Sequence, residues 1–242
     1  MNNELIELKA SELRAKWNLS ADEPAQIRQL LLKLNILTLF RSLGEDFSGM
    51  CLKKDNHQFI LINSNQSIGR QHFTIAHEFY HLFIQESFEV HYCNPGNNSS
   101  SKQEKEADYF SSVFLMPEMG LKKMIPEPEL KNKGISIPTL LRLEHYFEVS
   151  RSALLIRLKM LKIINQIDFN RLTSLPVIRS AIEYGFNTSL YLSGNEGVVI
   201  GDYGIKARTL FEKGFISEGH YIELLSKIGA DPTQNNTDTT LS

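Results

Sequence analysis

The stretch RQHFTIAHEFYHLFIQE, residues 70–86, constrains this chain more than any other. Phe73, Ile75, Ala76, Phe79, Leu82, Phe83 and Ile84 point several ways around a helix, as in an element buried on most sides. One polar stripe interrupts them: Thr74, His77, Glu78, His81 and Gln85 fall at i, i+3, i+4, i+7 and i+11. Burying such a stripe without partners costs about 1–3 kcal/mol per unsatisfied group, so it must face a partner, water or a metal ion. His77 and His81 are one helical turn apart, which lets both imidazoles converge on one ion at a Zn–N distance of about 2.0–2.1 Å. Glu78 is poorly aimed to complete that pair as a ligand. It is placed to take the proton of an attacking water and pass it to a leaving amine. This is H-E-x-x-H on a helix, a pattern that carries peptide hydrolysis, and it predicts one zinc ion per chain. The alternative, a buried histidine pair satisfied by backbone or carboxylates, is disfavoured because motif and polar stripe coincide.

A catalytic zinc ion usually takes a third protein ligand and leaves a fourth position to water. The second helical block, KQEKEADYFSSVFLMP at residues 102–117, supplies the candidates. Glu106 shares a face with Phe110 and Val113, which predicts that it points inward and is the third ligand. Glu104 is rotated by about 200° from that direction and is predicted to face solvent. Asp108 lies off the Glu106 face but within reach of an imidazole N–H, where it would orient a ligand without being one.

Around these blocks the chain reads as α+β. Residues 4–17 have a mixed helical pattern, and Ser20 or Asp22 followed by Pro24 gives start signals for a second helix through AQIRQLLLKLN. ILTLF, SGMCLKK and QFILIN are short runs rich in β-branched and aromatic residues, separated by turn clusters, and predict a small, largely antiparallel sheet. A polar loop, NPGNNSSSK, separates the two chemistry-bearing helices. Beyond Pro117 further helices follow, including IPTLLRLEHYF and SRSALLIRLKMLKII, the last with Ser150 as N-cap. Residues 164–230 read as a separate small α/β unit, with strands at SLYLS and GVVIG, and residues 231–242 as a disordered tail.

Composition narrows the functional classes. With 26 basic and 28 acidic residues the formal charge is −2, so no bulk field favours nucleic acid or an anionic membrane. No apolar run approaches the roughly 18 residues needed to span a bilayer, and the N-terminus has no signal-peptide pattern. Cys51 and Cys93 form no Cys-x-x-Cys pair, which argues against a disulfide framework and fits a reducing cytoplasm. In that setting the sequons at Asn97 and Asn98 mark an exposed loop.

SGMCLKKDNHQFILINSNQSIGRQHFTIAHEFYHLFI followed by EKEADYFSSVFLMPE resembles the ImmA/IrrE family of metallopeptidases. Its members share an apolar strand ending in Asn, a Gly-Arg ahead of F-T-x-A-H-E-x-x-H, and E-x-E-A-x-x-F ending in L-M-P. The resemblance covers residues 20–160 and implies a zincin-like domain over residues 1–163, with His77, His81 and Glu106 as zinc ligands and Glu78 as general base. Tyr80 stands where many members carry a small residue, either packing or assisting an oxyanion. The family also implies a substrate class, a helix-turn-helix transcriptional repressor cut at a limited site. FEVSRSALLIRLKML itself resembles the second half of a helix-turn-helix pair spanning residues 137–163. Arg151, Arg157, Lys159 and Lys162 make it mildly basic, but direct DNA binding is disfavoured because no aromatic or Arg cluster accompanies them. The alternative function is a zinc-containing regulator that binds DNA or a repressor without cutting it.

Overall fold

The structure, a computed structural model, describes residues 3–55, 57–85, 91–93 and 101–229. Helices α1 (Asn3–Lys16) and α2 (Ile27–Leu34) precede strands β1 (Leu37–Arg41), β2 (Gly49–Lys54) and β3 (His57–Asn63). Helix α3 (Ile68–Phe83), strand β4 (His91–Cys93) and helix α4 (Lys102–Leu115) come next. Short helices α5 (Glu118–Met124) and α6 (Glu127–Asn132) lead to the pair α7 (Ile137–Phe147) and α8 (Arg151–Met160). The chain continues through α9 (Gln166–Thr173), α10 (Val177–Glu183), a 3-10 turn at Ser189–Tyr191, β5 (Val199–Ile200), α11 (Tyr203–Glu212) and α12 (Glu218–Lys227). The fold is α+β, as the sequence predicts. Residue 86 of the helical stretch, residues 94–100 of the polar loop with Asn97 and Asn98, and the tail at 231–242 lie outside the described residues. No helix among the described residues is long and apolar enough to cross a membrane.

The sheet has the order β4-β2-β3-β1-β5 and is largely antiparallel, as the sequence predicts, with one parallel pair. β2 and β3 form an antiparallel hairpin, but β3 then lies parallel to β1, pairing Leu37 with Phe59 through Arg41 with Asn63. The parallel pair arises because β3 inserts between β1 and β2, beneath the connection at residues 42–48. Buried Asn63, at the end of β3, secures that connection. Its Nδ2 donates to the carbonyls of Gly44 (2.9 Å) and Phe47 (2.7 Å), and its Oδ1 accepts from the Leu43 N–H (3.1 Å). A strand ending in Asn is thus explained by a side chain that supplies both donor and acceptor to the backbone of that loop.

Helix α3 packs on this sheet at close range. A Cβ on Gly49 would stand 2.6 Å from Thr74 Cγ2, and one on Gly69 would stand 2.6 Å from the Ser150 nitrogen. The glycine ahead of the His-Glu motif therefore lets the N-terminal turn of α3 meet the α7–α8 turn. Trp17, just past α1, fills the space between α3 and α4, with edge-on contacts to Phe79 (5.2 Å), Phe83 (5.0 Å) and Phe114 (5.7 Å). Such ring pairs add roughly 0.5–1.5 kcal/mol each beyond the area they bury. Ser20 and Asp22 do not cap α2. Ser20 Oγ donates to Asp22 Oδ1 at 2.5 Å in the preceding turn, and the helix begins after Gln26, whose backbone is left-handed at φ 46°.

The pair α7–α8 has its Ser150 cap, with Oγ accepting from the Ala153 N–H at 3.3 Å. Its two arginines, Arg151 and Arg157, point inward, whereas Lys159 and Lys162 are exposed. Arg151 is buried and pairs through Nε with Glu144 Oε1 at 2.7 Å, and the Tyr191 hydroxyl donates to Glu144 Oε2 at 2.5 Å. Burial and the Glu144 carboxylate push the Tyr191 phenol well above its ordinary range. Arg157 is also buried, its Nε donating to the Met116 carbonyl at 3.3 Å, and Lys159 Nζ lies 4.7 Å from the centre of the Phe169 ring. Half of the basic character in this segment, the two arginines, is therefore withdrawn from the surface.

The sequence sets residues 164–230 apart, but in the structure the segment supplies β5, which pairs antiparallel with β1 through Thr38–Ile200 and Leu39–Val199. SLYLS is not a strand. Asn187 Oδ1 accepts from the Ser189 N–H at 2.7 Å, drawing the chain into the 3-10 turn, and only Leu190 of that turn is buried. The residues that follow grip the start of α3: Leu192 O accepts from the Ile68 N–H at 2.9 Å, and Ser193 bridges Ser67. Buried Gln71 completes the contact, its Nε2 donating to the carbonyls of Gln66 (2.7 Å), Gly194 (3.0 Å) and Ser64 (3.2 Å).

Candidate metal centre

The polar stripe of α3 meets a polar stripe of α4. Contacts pass from His81 to His77 along one helix as they pass from Glu104 to Asp108 along the other, so the two helices run antiparallel here. His77, Glu78 and His81 are 6%, 0% and 1% exposed. Thr74, at the start of the stripe, returns its hydroxyl to the Arg70 carbonyl at 3.1 Å and takes no part in the cluster.

Each imidazole is oriented through Nδ1. His77 Nδ1 lies 2.9 Å from Asp108 Oδ1, and His81 Nδ1 lies 2.6 Å from Gln85 Oε1. Both partners are oxygen acceptors, which places the ring proton on Nδ1 and turns the Nε2 lone pair toward the cluster. His77 Nε2 is then 3.3 Å from Glu104 Oε2, and His81 Nε2 is 3.5 Å from Glu104 Oε1. One donor atom from each of His77, His81 and Glu104 lies within 4.8 Å of the others. Two ligands about 2.0–2.1 Å from a shared tetrahedral ion stand about 3.3–3.4 Å apart, close to the two imidazole–carboxylate separations here. Two neutral imidazoles and one carboxylate are also the donor types such an ion takes.

The sequence places Glu104 in solvent and Glu106 beside the histidines; the structure pairs them differently. Both are buried, at 9% exposure each. Glu104 faces the imidazoles, whereas Glu106 Oε2 accepts from the Tyr80 hydroxyl at 2.7 Å. The face argument equates the apolar core with the histidine cluster, and the two meet different faces of α4. Glu106 and Phe110 do face inward, but toward Tyr80, whose ring centre is 5.8 Å from that of Phe110. The carboxylates that meet the imidazoles lie on the neighbouring stripe Glu104, Asp108 and Ser111, at i, i+4 and i+7, which is polar throughout and matches the polar stripe of α3. That signal was present in the sequence. Asp108 stands where a partner for an imidazole N–H was expected, and Gln85, noted there only as a member of the stripe, plays the equivalent part for His81. Tyr80 sends its hydroxyl to the neighbouring helix and does not serve as an open oxyanion donor.

The profile of the IrrE N-terminal-like domain, peptidase M78, matches residues 32–159, from the end of α2 through α8. No curated protein gives a significant match. The matched region holds every member of the cluster, with α3 and α4 in the order that the motif blocks require. With more than half of its length matched, this chain belongs to the peptidase M78 family of IrrE N-terminal-like metallopeptidases.

Proposed function

We propose that the protein is a zinc-dependent endopeptidase in which His77, His81 and Glu104 hold the ion and Glu78 is the general base. The observation that carries this reading is the convergence of two Nδ1-anchored imidazoles and a buried carboxylate, with one donor atom of each within 4.8 Å of the others. An ion bound there supplies Lewis acidity toward a peptide carbonyl and toward water. Glu78 shares the stripe with both histidines, one residue from His77 and three from His81, and its carboxylate is fully buried. From there it takes a proton from the attacking water as the new C–O bond forms. The same carboxyl returns the proton to the amine nitrogen as the C–N bond breaks. Asp108 and Gln85 hold the two rings in the tautomer that ligation needs.

The substrate in this reading is a helix-turn-helix transcriptional repressor, cut at one or very few bonds, as the resemblance to ImmA/IrrE proteins implies. A partner of that kind would be held by surfaces outside the cleft while an extended segment enters it. The inward-facing Arg151 and Arg157 support a protein substrate over direct DNA binding. The test is co-expression with a helix-turn-helix repressor encoded beside this chain. Wild type should release defined fragments detectable by mass spectrometry, and Glu78→Gln should keep its metal, bind the repressor and leave it intact, because losing a general base costs about 10²- to 10⁴-fold in rate. Equal relief of repression by both forms, with no fragment, would replace the peptidase reading with a regulator that binds without cutting.

A further inference from the structure

Tyr80 lies between the two histidines of the motif and the core, 1% exposed, with its ring centre 5.5 Å from that of His81 and nearly perpendicular to it. Phenylalanine would fill nearly the same volume. What the hydroxyl adds is a 2.7 Å hydrogen bond to the Glu106 carboxylate on the facing helix, a bond to a charged acceptor in a buried setting and therefore of the stronger kind. Glu106 is two residues from Glu104, and Tyr80 is next to His81. Sliding α4 by one residue along α3 would move it about 1.5 Å and turn it by about 100°. That single shift would break the Tyr80–Glu106 bond and carry Glu104 away from His77 Nε2 and His81 Nε2. The bond and the donor set are satisfied in the same register of the two helices.

We propose that the Tyr80–Glu106 hydrogen bond is a register lock, a positioning pair that holds the Glu104 carboxylate against both imidazoles without itself touching the ion. The proposal rests on the reading of His77, His81 and Glu104 as the metal donors. It also assigns the second buried carboxylate of α4, which the chemistry of hydrolysis does not use, and the buried tyrosine inside the motif.

The experiment measures zinc affinity of the full-length protein by competition with a chelating dye, together with the visible absorption of the Co(II)-substituted form. Tyr80→Phe should weaken zinc binding by about tenfold and alter the Co(II) bands, as loss of a supporting contact around a metal site does. Glu106→Gln keeps a carbonyl oxygen to accept from Tyr80 and should stay within about threefold of wild type with an unchanged spectrum. Glu106→Leu removes the acceptor by another route and should repeat the Tyr80→Phe result, so the lock can be judged even where one variant folds poorly. Wild-type affinity and spectrum in both Tyr80→Phe and Glu106→Leu overturn the lock. Loss in Glu106→Gln as deep as in Glu104→Gln also overturns it, by making Glu106 a ligand. Full zinc retention in Glu104→Gln removes the donor assignment itself, a failure distinguishable from that of the lock alone.

Discussion

His77 is the most committed side chain of the centre, with one ring nitrogen on Asp108 and the other facing Glu104. Asp108 is itself largely exposed, yet the bond it accepts fixes which nitrogen can ligate. Asp108→Ala should therefore leave the fold intact and weaken zinc binding by about tenfold, measured by dye competition, whereas His77→Ala with His81→Ala should abolish it by elemental analysis. A double histidine variant that keeps a full complement of zinc would disprove the assignment. At this scale the sequence was informative about identity and less so about direction. His77, Glu78 and His81 were legible because a motif and a periodicity agreed on them. The choice between Glu104 and Glu106 turned on which face of α4 meets α3: the apolar face reads as the inward one, although the polar stripe Glu104, Asp108 and Ser111 offers the match to the stripe of α3.

At the scale of elements, α3 is gripped at its N-terminal turn from two sides, by the α7–α8 turn against Gly69 and by residues 192–194 against Ile68, Ser67 and Gln71. Gly69→Ala would place a methyl group 2.6 Å from the Ser150 nitrogen and 2.8 Å from the Val149 carbonyl carbon, both backbone atoms with little freedom to yield. The expected cost is about 1–3 kcal/mol, seen as a lower thermal midpoint with zinc stoichiometry retained. An unchanged midpoint would show that the two turns separate at no cost. Most helices could be read in advance from periodicity and caps, as Ser150 illustrates. The parallel β1–β3 pair could not, since alternation along QFILIN gives its faces but not the direction of its neighbour. SLYLS misled for a related reason: Leu and Tyr suit a strand, and the Asn187 turn that overrides them is a local hydrogen bond.

For the molecule as a whole, the segment beyond residue 163 matters more than its lack of motifs suggests. It covers the β1 edge with β5, supplies carbonyl acceptors to the start of α3, and lodges Tyr191 against the buried Glu144–Arg151 pair. A chain cut after residue 163 would expose an unpaired strand edge and leave a buried ion pair without one of its donors. Such a fragment is expected to aggregate or melt well below the full chain in a thermal scan. Recovery of residues 1–163 as a monomer of unchanged midpoint and full zinc content would mark the segment as dispensable. Sequence reading separated the segment because its pattern restarts there; the pairings that bind it to the front of the chain are long-range and leave no local trace.

Trp17 is the only tryptophan of the chain, and it touches rings on both α3 and α4. The molecule thus carries a single indole, 5% exposed, at the junction of the two helices that supply the candidate ligands, and excitation at wavelengths beyond tyrosine absorption selects it. Its emission reports on that junction alone, so parting of the two helices can be followed optically in the unlabelled protein, even under conditions where no peptide bond is cut.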